Sequence, residues 1–384
     1  MASDDIDWLD TQVDLTEALN MSVLTTPAGL EGGPETEGDS TGITLDPEPV
    51  MTAPAVTARP RGTDVRALVA GDATAAAPPR GLWSRLTKRG PSPQEIALRA
   101  DQRTITQPLP APGVVAVANV KGAAGKTPTV VTLASALGVY RGGGVAAMDV
   151  WLRGTLARAT VDHGSTLSIL DLIPQIPSLM AGGARAADVA RFLRYQPSGK
   201  FDVLPGPVDV VDVDEHGHGR LLPPGLAPGD VWDVIEVLQR QHQVVVVDTG
   251  NNDTDLAWQA VRDRTHQLVV PTKLWRDQVN GAIAVLETLA DTGYADLAAN
   301  AIVVITHAHR DLDRVDPKEA RRYREFFLER GHQVIDLPPD PVIAAHQVIE
   351  WDALQPATRR AALTLGAAVI EGLVSAMSTR KGLR

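Results

Sequence analysis

Two lysines and a threonine stand close together in Lys121-Gly122-Ala123-Ala124-Gly125-Lys126-Thr127, shortly after the apolar run Val114 to Val117. Amines and a hydroxyl on a turn of small residues are equipment for holding a polyphosphate. A glycine-bearing turn between a strand and a helix lets consecutive backbone N–H groups converge on phosphate oxygens, and the helix adds its positive dipole end. Lys126 would then reach the β- and γ-phosphates of a nucleoside triphosphate, and the Thr127 hydroxyl would ligate Mg²⁺. Pro128 follows in the first helical turn, where a missing N–H is harmless. An ordinary phosphate loop has glycine five positions before Gly125; this chain has Val120 there and a lysine at 121. The plain alternative is a small-residue turn that binds nothing.

A carboxylate stands where such a site needs one. Val244-Val245-Val246-Val247-Asp248 reads as a buried strand ending in an acid, and Asp248 there would hold Mg²⁺ through water. Taken alone, Asp248 could equally cap the next helix.

With Lys121 preceding Gly122 and Gly125-Lys126-Thr127 closing the loop, the pattern resembles the deviant P-loop of the ParA/MinD family of ATPases. The family loop has a second glycine where Ala123 stands and serine or threonine where Pro128 stands. The resemblance implies ATP and Mg²⁺ as cofactors, ATP hydrolysis, and a homodimer formed around nucleotide, with Lys121 crossing to the partner's ATP. It assigns Lys121, Lys126, Asp149 and Asp248 to catalysis, and Thr127 and Asp248 to the metal. Ala146-Ala147-Met148-Asp149 ends a strand where family members carry two aspartates one residue apart; the second falls on Trp151. An indole cannot accept a proton from the attacking water. Hydrolysis should therefore be slow, unless Asn251, Asn252 or Asp253 supplies the role. By the same resemblance Thr306, ending Ile302 to Ile305, and Pro338 and Asp340 in Leu337-Pro338-Pro339-Asp340 fall at the adenine pocket, beside a nucleotide cradled by Gly122 to Pro128.

These residues must be carried by alternating strands and helices. The patterns predict strands near 113–119, 144–149, 201–205, 243–248, 267–271, 301–306 and 333–337. They predict helices near 126–140, 227–240, 253–263, 277–291, 316–330 and 356–377. The fold class is α/β: a mainly parallel, doubly wound P-loop NTPase sheet with helices on both faces, whose ligands sit at the carboxyl ends of strands. The resemblance covers about 112–377, with 151–200 as a helical excursion. His307 and His309 lack a third ligand and read as surface residues.

Composition divides the 384 residues. Up to Pro60 there are twelve acidic residues and one basic, which accounts for the net charge of -11; the remainder balances at 35 of each sign. Residues 1–79, acidic and then rich in Ala, Pro and Thr, are predicted disordered. Within them Ile6, Trp8 and Leu9 among aspartates form a candidate segment for a partner protein, or a stray aromatic. Residues 80–111 read as a basic linker with a short, solvated helix near 92–102, and 112–384 as the ATPase domain. No cysteine is present, which excludes disulfides and thiolate chemistry. The acidic start lacks the marks of a signal peptide, and a bacterial cytoplasmic protein is expected.

The family's work includes partitioning plasmids or chromosomes and positioning cellular machinery. Nonspecific DNA binding, with nucleoid association, would fall to Arg321, Arg322, Arg324 and Arg330, or to Arg359, Arg360, Arg380, Lys381 and Arg384. The apolar stretch Ala361 to Met377 suits a core helix better than a membrane anchor. The long N-terminal extension is similar to that of EspI-like accessory ATPases of type VII secretion. A nucleotide-sensing scaffold with little turnover is the remaining reading.

Overall fold

The computed structural model describes residues 92–151, 154–164, 166–182, 185–206, 225–251, 255–307 and 315–382. The predicted disordered tail and the basic stretch around Trp83 lie outside the described residues, as do Asn252, Asp253 and His309.

Runs of Val and Ala form the strands because a strand covered on both faces must be apolar on both. In chain order the strands are β1 (Gly113–Val117), β2 (Val145–Asp149), β3 (Arg194–Gln196), β4 (Phe201–Leu204), β5 (Val244–Asp248), β6 (Gln267–Thr272), β7 (Ile302–Thr306) and β8 (Gln333–Leu337). They form one sheet in the order β3-β4-β2-β5-β1-β6-β7-β8. All neighbours pair in parallel except β3 and β4.

Seven longer helices accompany the sheet: α1 (Pro93–Ile105), α2 (Lys126–Arg141), α3 (Pro228–Gln239), α4 (Leu256–Arg264), α5 (Arg276–Asp291), α6 (Pro317–Glu329) and α7 (Pro356–Gly382). The two-residue period of β1 sends Val114 and Ala116 to a core with residues of α3, α4, α5 and α6, and Val115 and Val117 to a core with residues of α1, α2 and α7. The sheet is thus doubly wound, as predicted. Short helices at 156–159, 169–172, 176–180 and 186–190 make up the excursion after β2.

Two elements depart from expectation. β3 is an antiparallel edge strand of three residues, Arg-Tyr-Gln, with no apolar run to announce it. Its end is tied by the Val161 N–H, which donates to Gln196 Oε1 at 2.7 Å. The second departure is α1, which is docked on the body rather than being a solvated linker. Ile105 is fully buried, Thr364 Oγ1 donates to Asp101 Oδ2 at 2.8 Å, and Arg141 Nη1 donates to the Ile105 carbonyl at 2.8 Å.

By length and composition Pro356–Ser378 could cross a membrane. Instead Leu363, Val369, Ile370 and Leu373 are completely buried against the sheet, the core role expected of this stretch.

Candidate functional site

The small-residue loop spans the gap between β1 and α2. Buried Asn119 shapes its start: Nδ2 donates to the Pro271 carbonyl at 2.8 Å and Oδ1 accepts from the Lys121 N–H at 2.9 Å. Gln278 Nε2 holds the Gly122 carbonyl at 3.1 Å. The loop turns through left-handed backbone at Ala123 (φ 59°) and Gly125 (φ 89°). Gly125 is required twice over, since a Cβ there would also lie 2.8 Å from Thr306 Cγ2. Ala123 adopts the same conformation with a Cβ, so the alanine adds strain to the loop as well as bulk.

Lys126 is 7% exposed and its ammonium is fully engaged. Nζ donates to the Asn119 and Lys121 carbonyls, both at 2.9 Å, and to Asn251 Oδ1. Burial lowers its pKa from 10.5 to about 8, against the opposing pull of the Asp248 charge. Beside it Thr127 Oγ1 donates to Asp248 Oδ2 at 2.6 Å and lies 2.8 Å from Thr155 Oγ1.

Pairing of β2 with β5 sets Asp149 opposite Asp248. Both are buried. Burial raises the pKa of Asp149 well above the usual carboxylate value and the neighbouring Asp248 charge adds to it; burial also raises Asp248, while Thr127 and Lys126 oppose the rise. Asp149 Oδ2 accepts from the Leu156 N–H at 3.3 Å, and Oδ1 has no partner. The Thr127 hydroxyl and the Asp248 carboxylate, both on the cavity wall, are hard oxygen donors of the kind that fit Mg²⁺.

Lys126, Thr127 and Asp248, but not Asp149, open into a cavity of about 670 Å³ whose lining includes the loop from Ala123 to Pro128. Trp151 forms one wall. It lies on Gly250 (φ 73°), where a Cβ would come within 2.9 Å of the Trp151 Cβ and Cγ. The opposite end is made by Thr306, His307, Leu337 and Pro338 and a short helix at 341–344.

The predicted site residues divide by what they touch. Lys126, Thr127 and Asp248 line one cavity, and Asp149 stands opposite Asp248 outside that lining. Thr306 lines the cavity, but its Oγ1 donates to the Ala124 carbonyl at 3.0 Å, which fastens the loop to β7. Asp340 also lines it, yet Oδ1 accepts from the Val342 N–H at 2.9 Å and Oδ2 from the Gln355 N–H at 2.8 Å. Its carboxylate therefore caps and anchors the short helix. Lys121 is exposed and does not line the cavity; a Cβ on Gly281 of α5 would fall 2.4 Å from Lys121 Cγ, so the lysine stem lies along that glycine. His307 pairs with Asp336 at 3.0 Å.

Of the candidate DNA-binding arginines, Arg321 and Arg322 are exposed, Arg324 pairs with Asp336, and Arg330 lies 3.5 Å over the Phe326 ring. Arg360 Nη2 donates to the Gln94 carbonyl at 2.6 Å, and the side chains of Arg380, Lys381 and Arg384 lie outside the described residues. Sequence reasoning missed Asn119, Thr155 and Lys273, because isolated polar residues in the loops after strands carry no spacing signal.

A turn of small residues between a central strand and its helix, beside a parallel strand ending in Asp248, sits at the carboxyl edge of a doubly wound sheet of the P-loop NTPase type. No model of a known protein family matches the chain. Among curated proteins it is similar to the ESX-1 secretion-associated protein EspI of Mycobacterium tuberculosis, 27% identical over 255 residues, which are 66% of this chain and 36% of that protein. The chain thus spans about a third of the length of that relative. Among solved structures it is similar to a ParA family ATPase from Chlorobium tepidum TLS, at 16% identity and TM-score 0.47, covering 70% of this chain and 98% of that one. A second is the cell division ATPase MinD of Pyrococcus furiosus, at 19% identity and TM-score 0.45, covering 70% and 99%.

Proposed function

We propose that the chain is an ATP-binding switch of ParA/MinD type that hydrolyses ATP slowly. The observation that carries this reading is Lys126, a buried ammonium on the wall of a cavity of about 670 Å³ beside the Thr127–Asp248 pair. The bound polyphosphate replaces Asn251 as a partner of that ammonium. Thr127 and Asp248 would hold Mg²⁺, which would supply positive charge beside the phosphates. Asp149, beside Asp248, is the remaining acid of the site. Trp151 stands where the family has its second aspartate and offers no carboxylate to the attacking water.

ATP favours a dimer only as far as the dimer adds γ-phosphate contacts, and Lys121 supplies them in trans after leaving the surface of Gly281. The tail 1–79 recruits a partner protein, and the linker and body follow it in a cytoplasmic protein. Exposed Arg321 and Arg322 support a partition or positioning role with salt-dependent, nonspecific DNA binding. A second role, as an accessory ATPase of type VII secretion, is favoured by the similarity to EspI.

Turnover of the full chain with and without nonspecific DNA, beside Lys126→Ala and Trp151→Asp, tests the reading. Slow turnover that Lys126→Ala abolishes and Trp151→Asp accelerates supports it, and DNA stimulation selects the partition role. Turnover untouched by Lys126→Ala refutes it.

A further inference from the structure

The hydroxyl of Thr155 is turned away from the task its position would give it. Thr155 directly precedes the short helix at 156–159, where a threonine oxygen ordinarily accepts from an N–H of the first turn, yet its side chain makes no such bond. The Leu156 N–H, at the head of that helix, donates to Asp149 Oδ2 at 3.3 Å instead. Thr155 Oγ1 lies 2.8 Å from Thr127 Oγ1, and both residues line the cavity of about 670 Å³.

Counting protons gives the direction of that bond. A threonine hydroxyl carries one proton and two lone pairs. Thr127 donates its proton to Asp248 Oδ2 at 2.6 Å, so Thr155 is the donor to Thr127 and not the acceptor from it. The same Thr127 oxygen is the one that would ligate Mg²⁺. A cation on that oxygen draws electron density from it and leaves it a poor acceptor, so the Thr155 proton then needs another partner. Thr155 is exposed to the cavity, and the acceptors a bound nucleotide brings there are phosphate oxygens.

Strand order says which phosphate. The sheet runs β2-β5-β1-β6-β7-β8, with Thr155 in the connection after β2 and Thr306 and Leu337 at the ends of β7 and β8. A nucleotide with its base against Leu337 and Pro338 passes Lys126, after β1, and points its terminal phosphate toward β5 and β2. That is the side on which Thr155 stands. A diphosphate in the same pose lacks the phosphate nearest to it.

We propose that Thr155 is a nucleotide-binding residue whose hydroxyl leaves Thr127 when Mg²⁺ is bound and donates to the terminal phosphate of a nucleoside triphosphate. The assignment rests on the nucleotide reading above and deepens it. Thr155 gives a single chain a contact that distinguishes MgATP both from MgADP and from metal-free ATP.

Calorimetric titration of the full chain with MgATP, with MgADP and with ATP in EDTA tests this, in wild type, Thr155→Val and Thr155→Ser. Thr155→Val keeps the branched shape without the hydroxyl. It should bind MgATP about fivefold more weakly, the difference between a hydrogen bond to a charged oxygen and one to a neutral hydroxyl, and should bind MgADP and metal-free ATP about as wild type does. Thr155→Ser keeps the donor and should stay near wild type for all three. Thr155→Val that binds MgATP as wild type overturns the proposal, and so does an equal loss for MgATP and metal-free ATP. A loss shared by MgADP overturns the terminal-phosphate assignment. Wild-type protein that binds none of the three would instead bring down the nucleotide reading itself, a failure visible without any variant. A misfolded variant would weaken all three titrations alike, so the contrast among them, beside matching thermal melts, separates a lost contact from a lost fold.

Discussion

Replacing Lys126 by methionine should make the empty protein more stable at neutral pH while abolishing nucleotide binding. Burial lowers the lysine pKa from 10.5 to about 8, so holding the ammonium charged in the folded state costs about 3 kcal/mol relative to the unfolded chain. Lys126→Met removes that cost, and also removes the three hydrogen bonds to the Asn119 and Lys121 carbonyls and Asn251 Oδ1, together about 2 kcal/mol. The net gain is about 1 kcal/mol, or a rise of roughly 2–4 °C in Tm. The sign of the pH dependence follows from the depressed value. Between about pH 8 and 10.5 the unfolded chain holds a proton that the folded chain has released, so this group's contribution to wild-type stability rises with pH across that window. Below it the lysine is charged in both states and the full cost applies. The advantage of Lys126→Met should therefore shrink between about pH 7 and pH 9.5. Nucleotide-free thermal melts of both proteins at the two pH values read this directly. A variant that melts below wild type by the same margin at both would refute the reasoning.

The remaining predictions concern the same loop and its supports. Bound phosphate needs Lys126 charged, so MgATP affinity measured by calorimetry should fall roughly thirtyfold between pH 7 and 9.5, and a flat profile would argue against the buried lysine as ligand. Gly154→Ala should lower Tm by several degrees, because its Cβ would stand 1.8 Å from Asp149 Oδ2; unchanged melting would show that the carboxylate can move aside freely. Thr306→Val removes the donor to the Ala124 carbonyl and should weaken MgATP severalfold with a stability loss of about 1 kcal/mol, checked by calorimetry and melts. Ala123→Gly relieves backbone at φ 59° and should leave stability equal or higher by up to about 1 kcal/mol, where an alanine-to-glycine change in ordinary backbone lowers it.

Much of this architecture can be read from residues alone, for a physical reason. The Val runs of β1 and β5 have to be buried on both faces, and the small-residue turn ahead of Lys126 has to follow a strand, so their placement needs no tertiary knowledge. What could not be read depends on register and on long-range packing. That Asp149 lies opposite Asp248 follows from how β2 pairs with β5, which no local spacing encodes. Asp340 resembles a base contact in order along the chain, yet its oxygens cap a short helix and bind Gln355. The docking of α1 rests on Ile105 meeting Gly366, whose missing Cβ would lie 2.6 Å from Ile105 Cδ1, a contact between residues distant in sequence. β3 stayed hidden because an edge strand of three polar-leaning residues carries no alternation.

The central claim is that Lys126 anchors a nucleotide triphosphate with Mg²⁺ in this cavity. Calorimetric titration of MgATP into the full chain at neutral pH, beside Lys126→Met, tests it most directly. The account predicts saturable binding by the wild-type chain and its loss in a variant that melts at least as high. No measurable binding by folded wild-type protein, or equal binding by both, would contradict it.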